Sequence, residues 1–79
     1  MNIVIVGTGY VGLVTGVGLV ELGNTVTFID LDTEKIKKLK NKELPFFEPD
    51  LDKYFSKNEN FERMSFHSNY EELNWDNVE

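Results

Sequence analysis

The segment Ile3-Val4-Ile5-Val6-Gly7-Thr8-Gly9-Tyr10-Val11-Gly12 constrains this chain more than any other. A β-branched apolar run, the pattern of a parallel strand buried on both faces, leads directly into G-x-G-x-x-G and then into a helix-like stretch. That order suits a dinucleotide pyrophosphate. In such a turn Gly7 permits a tight reversal, Gly9 lets the backbone approach the phosphates, and Gly12 lets the helix pack on the sheet. Thr8, Tyr10 and Val11 fill the intervening positions. The free N–H groups and dipole of the helix N-terminus favour negative charge there. Alone, the glycine pattern is weak and could simply mark a tight strand-helix turn; its flanks decide how much it means.

Those flanks agree with the nucleotide reading. Tyr10 to Leu22 is apolar with Gly12, Gly16 and Gly18 interspersed, a poor helix by propensity but one able to lie close to a sheet or ligand. Gly23 supplies a stop, and Thr25 to Ile29 is a second β-rich run ending at Asp30. This is a βαβ unit with a right-handed crossover. Asp30 follows Gly12 by 18 residues, where a carboxylate accepts hydrogen bonds from adenosine ribose hydroxyls. It predicts NAD over NADP, because a 2′-phosphate would add about two negative charges beside it, although Lys35 softens that repulsion. A helix cap is the alternative role for Asp30, but Asp32 is better placed for it. Lys35, taken alone, reads as a solvated helix lysine.

Beyond Asp32 the pattern predicts a helix from Thr33 to about Asn41 with Ile36 and Leu39 as its narrow apolar stripe. Pro45 forces Leu44 into an extended conformation. Another short helix starts at Pro49, carrying Leu51, Tyr54 and Phe55 at i, i+3, i+4, and fades over Lys57 to Asn60. Met64 to His67 reads as a third strand, and Ser68 with Glu71 has the capping-box spacing for a last helix through Leu73 or Trp75, with Trp75 as a core anchor.

Composition narrows the remaining function classes. With 79 residues and 41% hydrophobic content the chain can bury one core, yet at this size only about 60% of the unfolded surface is buried and stability is marginal. A net charge of −6 argues against nucleic acid, and the lysines at positions 35, 37, 38, 40 and 42 read as a solvated helix face. The absence of cysteine removes disulfides and thiolate chemistry, and His67, the single histidine, has no partners for a metal site. Glu71, Glu72, Asp76 and Glu79 read as solvated acids, with nothing nearby to raise one pKa for acid-base work. The start MNIVIVG lacks a basic n-region and no apolar run could span a bilayer, so the expectation is a soluble cytoplasmic protein with no membrane partner.

Four blocks in order resemble the N-terminus of the UDP-glucose/GDP-mannose dehydrogenase family. They are Gly7-Thr8-Gly9-Tyr10-Val11-Gly12-Leu13-Val14-Thr15-Gly16, Glu21-Leu22-Gly23-Asn24-Thr25-Val26, Asp30-Leu31-Asp32-Thr33-Glu34-Lys35, and Leu44-Pro45-Phe46-Phe47-Glu48-Pro49-Asp50-Leu51. The likeness covers nearly the whole chain, and the Tyr-Val-Gly-Leu continuation is similar to members acting on UDP-glucose. It departs at Asp50, where the family usually has glycine, and an acid in a first helical turn is readily accommodated. The resemblance implies NAD-dependent, four-electron oxidation of a UDP-sugar C6 alcohol to a carboxylate through a catalytic cysteine. It also implies cofactor roles for Val11, Asp30 and Lys35. Tyr10 then either faces the substrate side or packs at the helix start; Phe46, Phe47 and Glu48 either border the active site or, the favoured reading, form a loop packed by its own aromatics.

The resulting expectation is an α/β chain, residues 1–79 forming the N-terminal part of a dinucleotide-binding domain. It is a partial Rossmann fold of three parallel strands and two crossover helices plus the start of another helix, an incomplete sheet from a homo-oligomeric parent enzyme. The family's catalytic residues fall outside this sequence, so the 79 residues by themselves are expected to be inactive. With helices on one face only, Ile3 to Val6 should form an apolar edge, the second face should be bare, and the chain should self-associate through its first strand. A module that binds NAD to regulate a partner is the rival reading.

Overall fold

The computed structural model describes residues 1–71. In chain order these form β1 (Asn2–Val6), α1 (Tyr10–Glu21), β2 (Thr25–Ile29), α2 (Thr33–Lys40), α3 (Pro49–Phe55), α4 (Asn58–Phe61) and β3 (Met64–His67). The strands make one parallel sheet in the order β1-β2-β3, with Val6 beside Ile29 and Ile29 beside His67. This is the expected partial Rossmann arrangement. The last helix, read from a capping box of Ser68 and Glu71 through Leu73 or Trp75, requires correction at its start. Residues 68–71 form bends and a turn, and the Glu71 N–H donates to the Asn69 side chain at 3.0 Å, a local bond that competes with a helical first turn. Its remainder lies outside the described residues.

Strand alternation puts Ile3 and Ile5, Val26 and Phe28, and Met64 and Phe66 on one face, and that face carries the core. The helices cover it with Leu13, Val17 and Val20 from α1, Ile36 and Leu39 from α2, and Leu51 and Phe55 from α3. Phe28 and Phe66 stack at 5.3 Å between centroids, a contact worth about 0.5–1.5 kcal/mol beyond area burial. A Cβ on Gly16 would run into the Phe28 ring, so the missing side chain sets how closely α1 approaches the sheet.

The second face differs from expectation. Val4 is half-buried and Val6 exposed, but Ile29 is fully buried on that side, between Val6 and His67 in register, so the face is not uniformly bare. β1 does stand at one edge of the described sheet.

Helix ends follow local chemistry. α1 stops in a Schellman arrangement: Gly23, at φ 103, donates to the Val20 carbonyl and Asn24 donates to that of Leu19. α2 ends in the same way around Lys42, at φ 61, whose N–H bonds Leu39 while that of Glu43 bonds Lys38. No glycine marks this second stop. α3 starts at Pro49 as expected, with Leu51 and Phe55 buried, whereas Tyr54 stays largely exposed.

Two further expectations require correction. The segment read as a fading end contains α4, held by buried Asn60, whose side-chain N–H groups bond the Tyr54 carbonyl and the Glu21 carboxylate. A polar tetrapeptide with no apolar period gives no helix signal; tertiary contacts make it one. The Phe46-Phe47 loop is not packed by both of its aromatics. Phe46 packs against the core and the Tyr10 ring, at 5.4 Å, while Phe47 is 92% exposed. Among the described residues no helix is long and apolar enough to cross a membrane.

Candidate dinucleotide-binding site

The carboxyl ends of β1 and β2 open onto adjacent turns, the usual place for a ligand in a parallel sheet. Gly7 adopts φ 97, which a residue with a side chain rarely takes, and its N–H donates to the Ile29 carbonyl at 2.7 Å. That bond ties the glycine turn to the end of β2. A Cβ on Gly12 would overlap the Gly7 carbonyl oxygen, so the third glycine is demanded by the turn folding back on its own helix.

Gly9 is different. Its φ is −72, and an added Cβ would meet nothing within 4 Å. Nothing among the described residues therefore requires glycine there. Gly9 is also the N-cap of α1, and it provides no side-chain bond to the first N–H groups. The first turn of α1 carries no acidic residue either, and Tyr10 and Val11 lie exposed on it. Neither the cap nor the first turn of α1 thus supplies a negative group for the positive end of the helix dipole.

Asp30 completes the site. Its Oδ2 accepts the Thr8 backbone N–H at 2.9 Å and the Thr8 hydroxyl at 2.7 Å, and its Oδ1 accepts the Asp32 N–H at 2.9 Å. The Lys35 ammonium stands 3.8 Å from Oδ2. Led by the Thr8 hydroxyl, then the Asp32 and Thr8 amides, these groups lower the Asp30 pKa from 3.8 to about 2, against the opposing effect of burial. The carboxylate is fully ionised at neutral pH. Asp32 acts as the cap of α2, accepting the Lys35 N–H at 3.1 Å.

The sequence-derived residues therefore separate into distinct positions. Gly7, Thr8, Gly9 and Gly12 shape the turn, Asp30 is hydrogen-bonded to it, and Lys35 flanks that carboxylate. Tyr10 packs on Phe46 and borders a groove of about 460 Å³ between α1 and α3, a groove that includes neither Asp30 nor Lys35. What sequence reading missed is the function of Thr8, fully buried and bonded to a residue 22 positions away. The signal lay in the parallel pairing of Val6 with Ile29, which brings the residues just after each strand together. Among the described residues no group of acids and His67 could hold a metal ion.

Comparison with known proteins agrees with this geometry. Residues 1–77 match the family model described as UDP-glucose/GDP-mannose dehydrogenase family, NAD binding domain. The chain is 49% identical over 71 residues to UDP-glucose 6-dehydrogenase YwqF of Bacillus subtilis, covering 90% of this chain and 16% of that protein. It is 50% identical over 72 residues to UDP-glucose 6-dehydrogenase of Rickettsia bellii, covering 91% of this chain and 17% of the relative. It spans about a sixth of the length of these curated relatives. Among solved structures, UDP-N-acetyl-mannosamine dehydrogenase Cap5O from S. aureus superposes with a TM-score of 0.81 at 25% identity, over 90% of this chain and 17% of the other. A UDP-glucose dehydrogenase from Pyrobaculum islandicum gives 0.74 at 29% identity, over 82% and 15%. The chain belongs to the UDP-glucose/GDP-mannose dehydrogenase family, and residues 1–77 correspond to its NAD-binding domain, with NAD as the cofactor.

Proposed function

We propose that residues 1–79 form the N-terminal part of the NAD site of an enzyme that oxidises UDP-glucose to UDP-glucuronate, using two NAD+ per sugar. One observation carries the cofactor assignment: an uncapped helix start and an ionised carboxylate are joined through Thr8 at the carboxyl end of the sheet. In this reading the backbone of Gly7, Thr8, Gly9, Tyr10, Val11 and Gly12 receives the pyrophosphate. The bare position beside Gly9 is where a phosphate fits and a side chain would intrude. Asp30 accepts from the adenosine ribose, and Lys35 holds its ammonium alongside.

NAD+ supplies the hydride acceptor when bound; these residues bind and orient it. The absence of cysteine means that the sulfur chemistry implied by the family resemblance belongs to other parts of the enzyme. The preference for UDP-glucose is supported by the 49–50% identity to the UDP-glucose 6-dehydrogenases of Bacillus subtilis and Rickettsia bellii. A cytoplasmic setting and a homo-oligomeric parent belong to the same proposal.

Titrating NAD+ and NADP+ into the chain, with ligand-observed NMR as readout, tests the site. Weak NAD+ binding that exceeds NADP+ binding and disappears in Asp30→Ala is expected. Equal response to both cofactors, or none to NAD+, would overturn the assignment.

A further inference from the structure

Asp30 is half-buried, and little of its hydrogen-bonding capacity is left. A carboxylate offers about four acceptor positions, two on each oxygen. Thr8 takes two on Oδ2, through its N–H and its hydroxyl, and the Asp32 N–H takes one on Oδ1. The Lys35 ammonium adds charge beside Oδ2 at 3.8 Å, beyond hydrogen-bond distance. A single position remains, on Oδ1.

An adenosine ribose presents two vicinal hydroxyls. We infer that Thr8 is a positioning residue which, by filling Oδ2, makes Asp30 a one-hydroxyl reader of the ribose, so that the two hydroxyls contribute unequally to NAD affinity. The inference rests on the NAD reading of the site. Thr8 can hold this role because it is completely buried and bonded through both groups to the same oxygen, which fixes the carboxylate plane before any ligand arrives. Its side chain therefore acts through Asp30, while its backbone belongs to the glycine turn.

The test compares NAD+ with its adenosine 2′-deoxy and 3′-deoxy analogues on the full chain. In the unaltered chain one analogue should bind about tenfold more weakly than NAD+, the size expected for one hydrogen bond to a charged acceptor, and the other within about twofold. Thr8→Ser, which retains the hydroxyl, should keep that asymmetry. Thr8→Val frees the second position on Oδ2 and should bring the two losses within about twofold of each other. A purely structural role would weaken all three ligands alike and leave their ratios unchanged. Equal losses in the unaltered chain, or an unchanged ratio in a folded Thr8→Val, overturn the inference while leaving NAD binding intact. Should Thr8→Val fail to fold, Thr8→Ala, which also removes the hydroxyl from Oδ2, takes its place with the same expected and overturning outcomes. Failure of the unaltered chain to bind NAD+ overturns the cofactor reading and this inference together.

Discussion

The two strand-to-helix turns at the carboxyl ends of β1 and β2 treat their helices in opposite ways. Between β2 and α2 the chain supplies its own negative charge: Asp32 caps the helix and Glu34 follows in the first turn. Between β1 and α1 the segment carries no acid of its own, and Gly9 is a cap without a side chain. The carboxylate that reaches this turn, Asp30, is bonded to Thr8 and not to the first helical N–H groups. A cap and an acid complete a helix start; their omission leaves N–H groups and a dipole for an external anion. Asp30 stands between the two turns, bonded to Thr8 on one side and Asp32 on the other. One turn is finished by the sequence, and the other is shaped to be finished by a ligand.

The sharpest way to break the contrast is at Gly12. Gly12→Ala should cost about 3 kcal/mol, the upper end for an overpacked site, because the obstacle is the Gly7 carbonyl and backbone cannot rotate away. Urea denaturation measures this. Acid is the next probe, acting on the carboxylate that joins the turns. A pKa lowered to about 2 in the fold from 3.8 means that the contribution of Asp30 is fully present above pH ~4 and is lost as pH falls towards ~2. On the order of 2 kcal/mol should disappear over that window, and Asp30→Asn should flatten that part of a stability-against-pH curve.

Gly9→Ala sharpens the comparison further. With φ −72 and open space around the new methyl, stability should stay within about 0.5 kcal/mol. NAD+ affinity should fall at least about tenfold, or about 1.4 kcal/mol, by titration. Loss of stability without loss of affinity would show that the glycine serves the turn instead. The smallest effect belongs to the finished turn: Asp32→Ala should cost about 1 kcal/mol of stability and leave NAD+ affinity within about twofold.

The sequence announces the five elements of the βαβαβ frame because each carries its own signal. β1 and β2 are β-branched runs, α1 ends at a glycine that takes φ 103, and α2 has its cap and its Ile36-Leu39 stripe. α4 gives no such warning, since Asn58-Glu59-Asn60-Phe61 is helical only through what Asn60 touches. The turn around Lys42 is hidden for a related reason. Lysine does not advertise a left-handed backbone, but its ammonium bonds Asn58 and lies 5.1 Å over the Phe61 ring, contacts that help hold it there. At the candidate site the residue types were legible and their partnership was not. Asp30 could be assigned from its spacing, whereas the Thr8 hydroxyl reaches it only once parallel strands are in register.

β2 is the only strand of the described sheet with a neighbour on each side, and Asp30 follows directly from its last residue. At that end the Ile29 carbonyl is bonded by Gly7, and the Asp30 N–H by the His67 carbonyl at 3.2 Å. Local opening begins where pairing is one-sided, so amide protons of the flanking strands should exchange with solvent before those of β2. The carboxylate is mounted at the end of the strand expected to exchange slowest. Fluctuations that fray β1 or β3 therefore leave the backbone beneath Asp30 in place, and its geometry should persist until the chain opens as a whole.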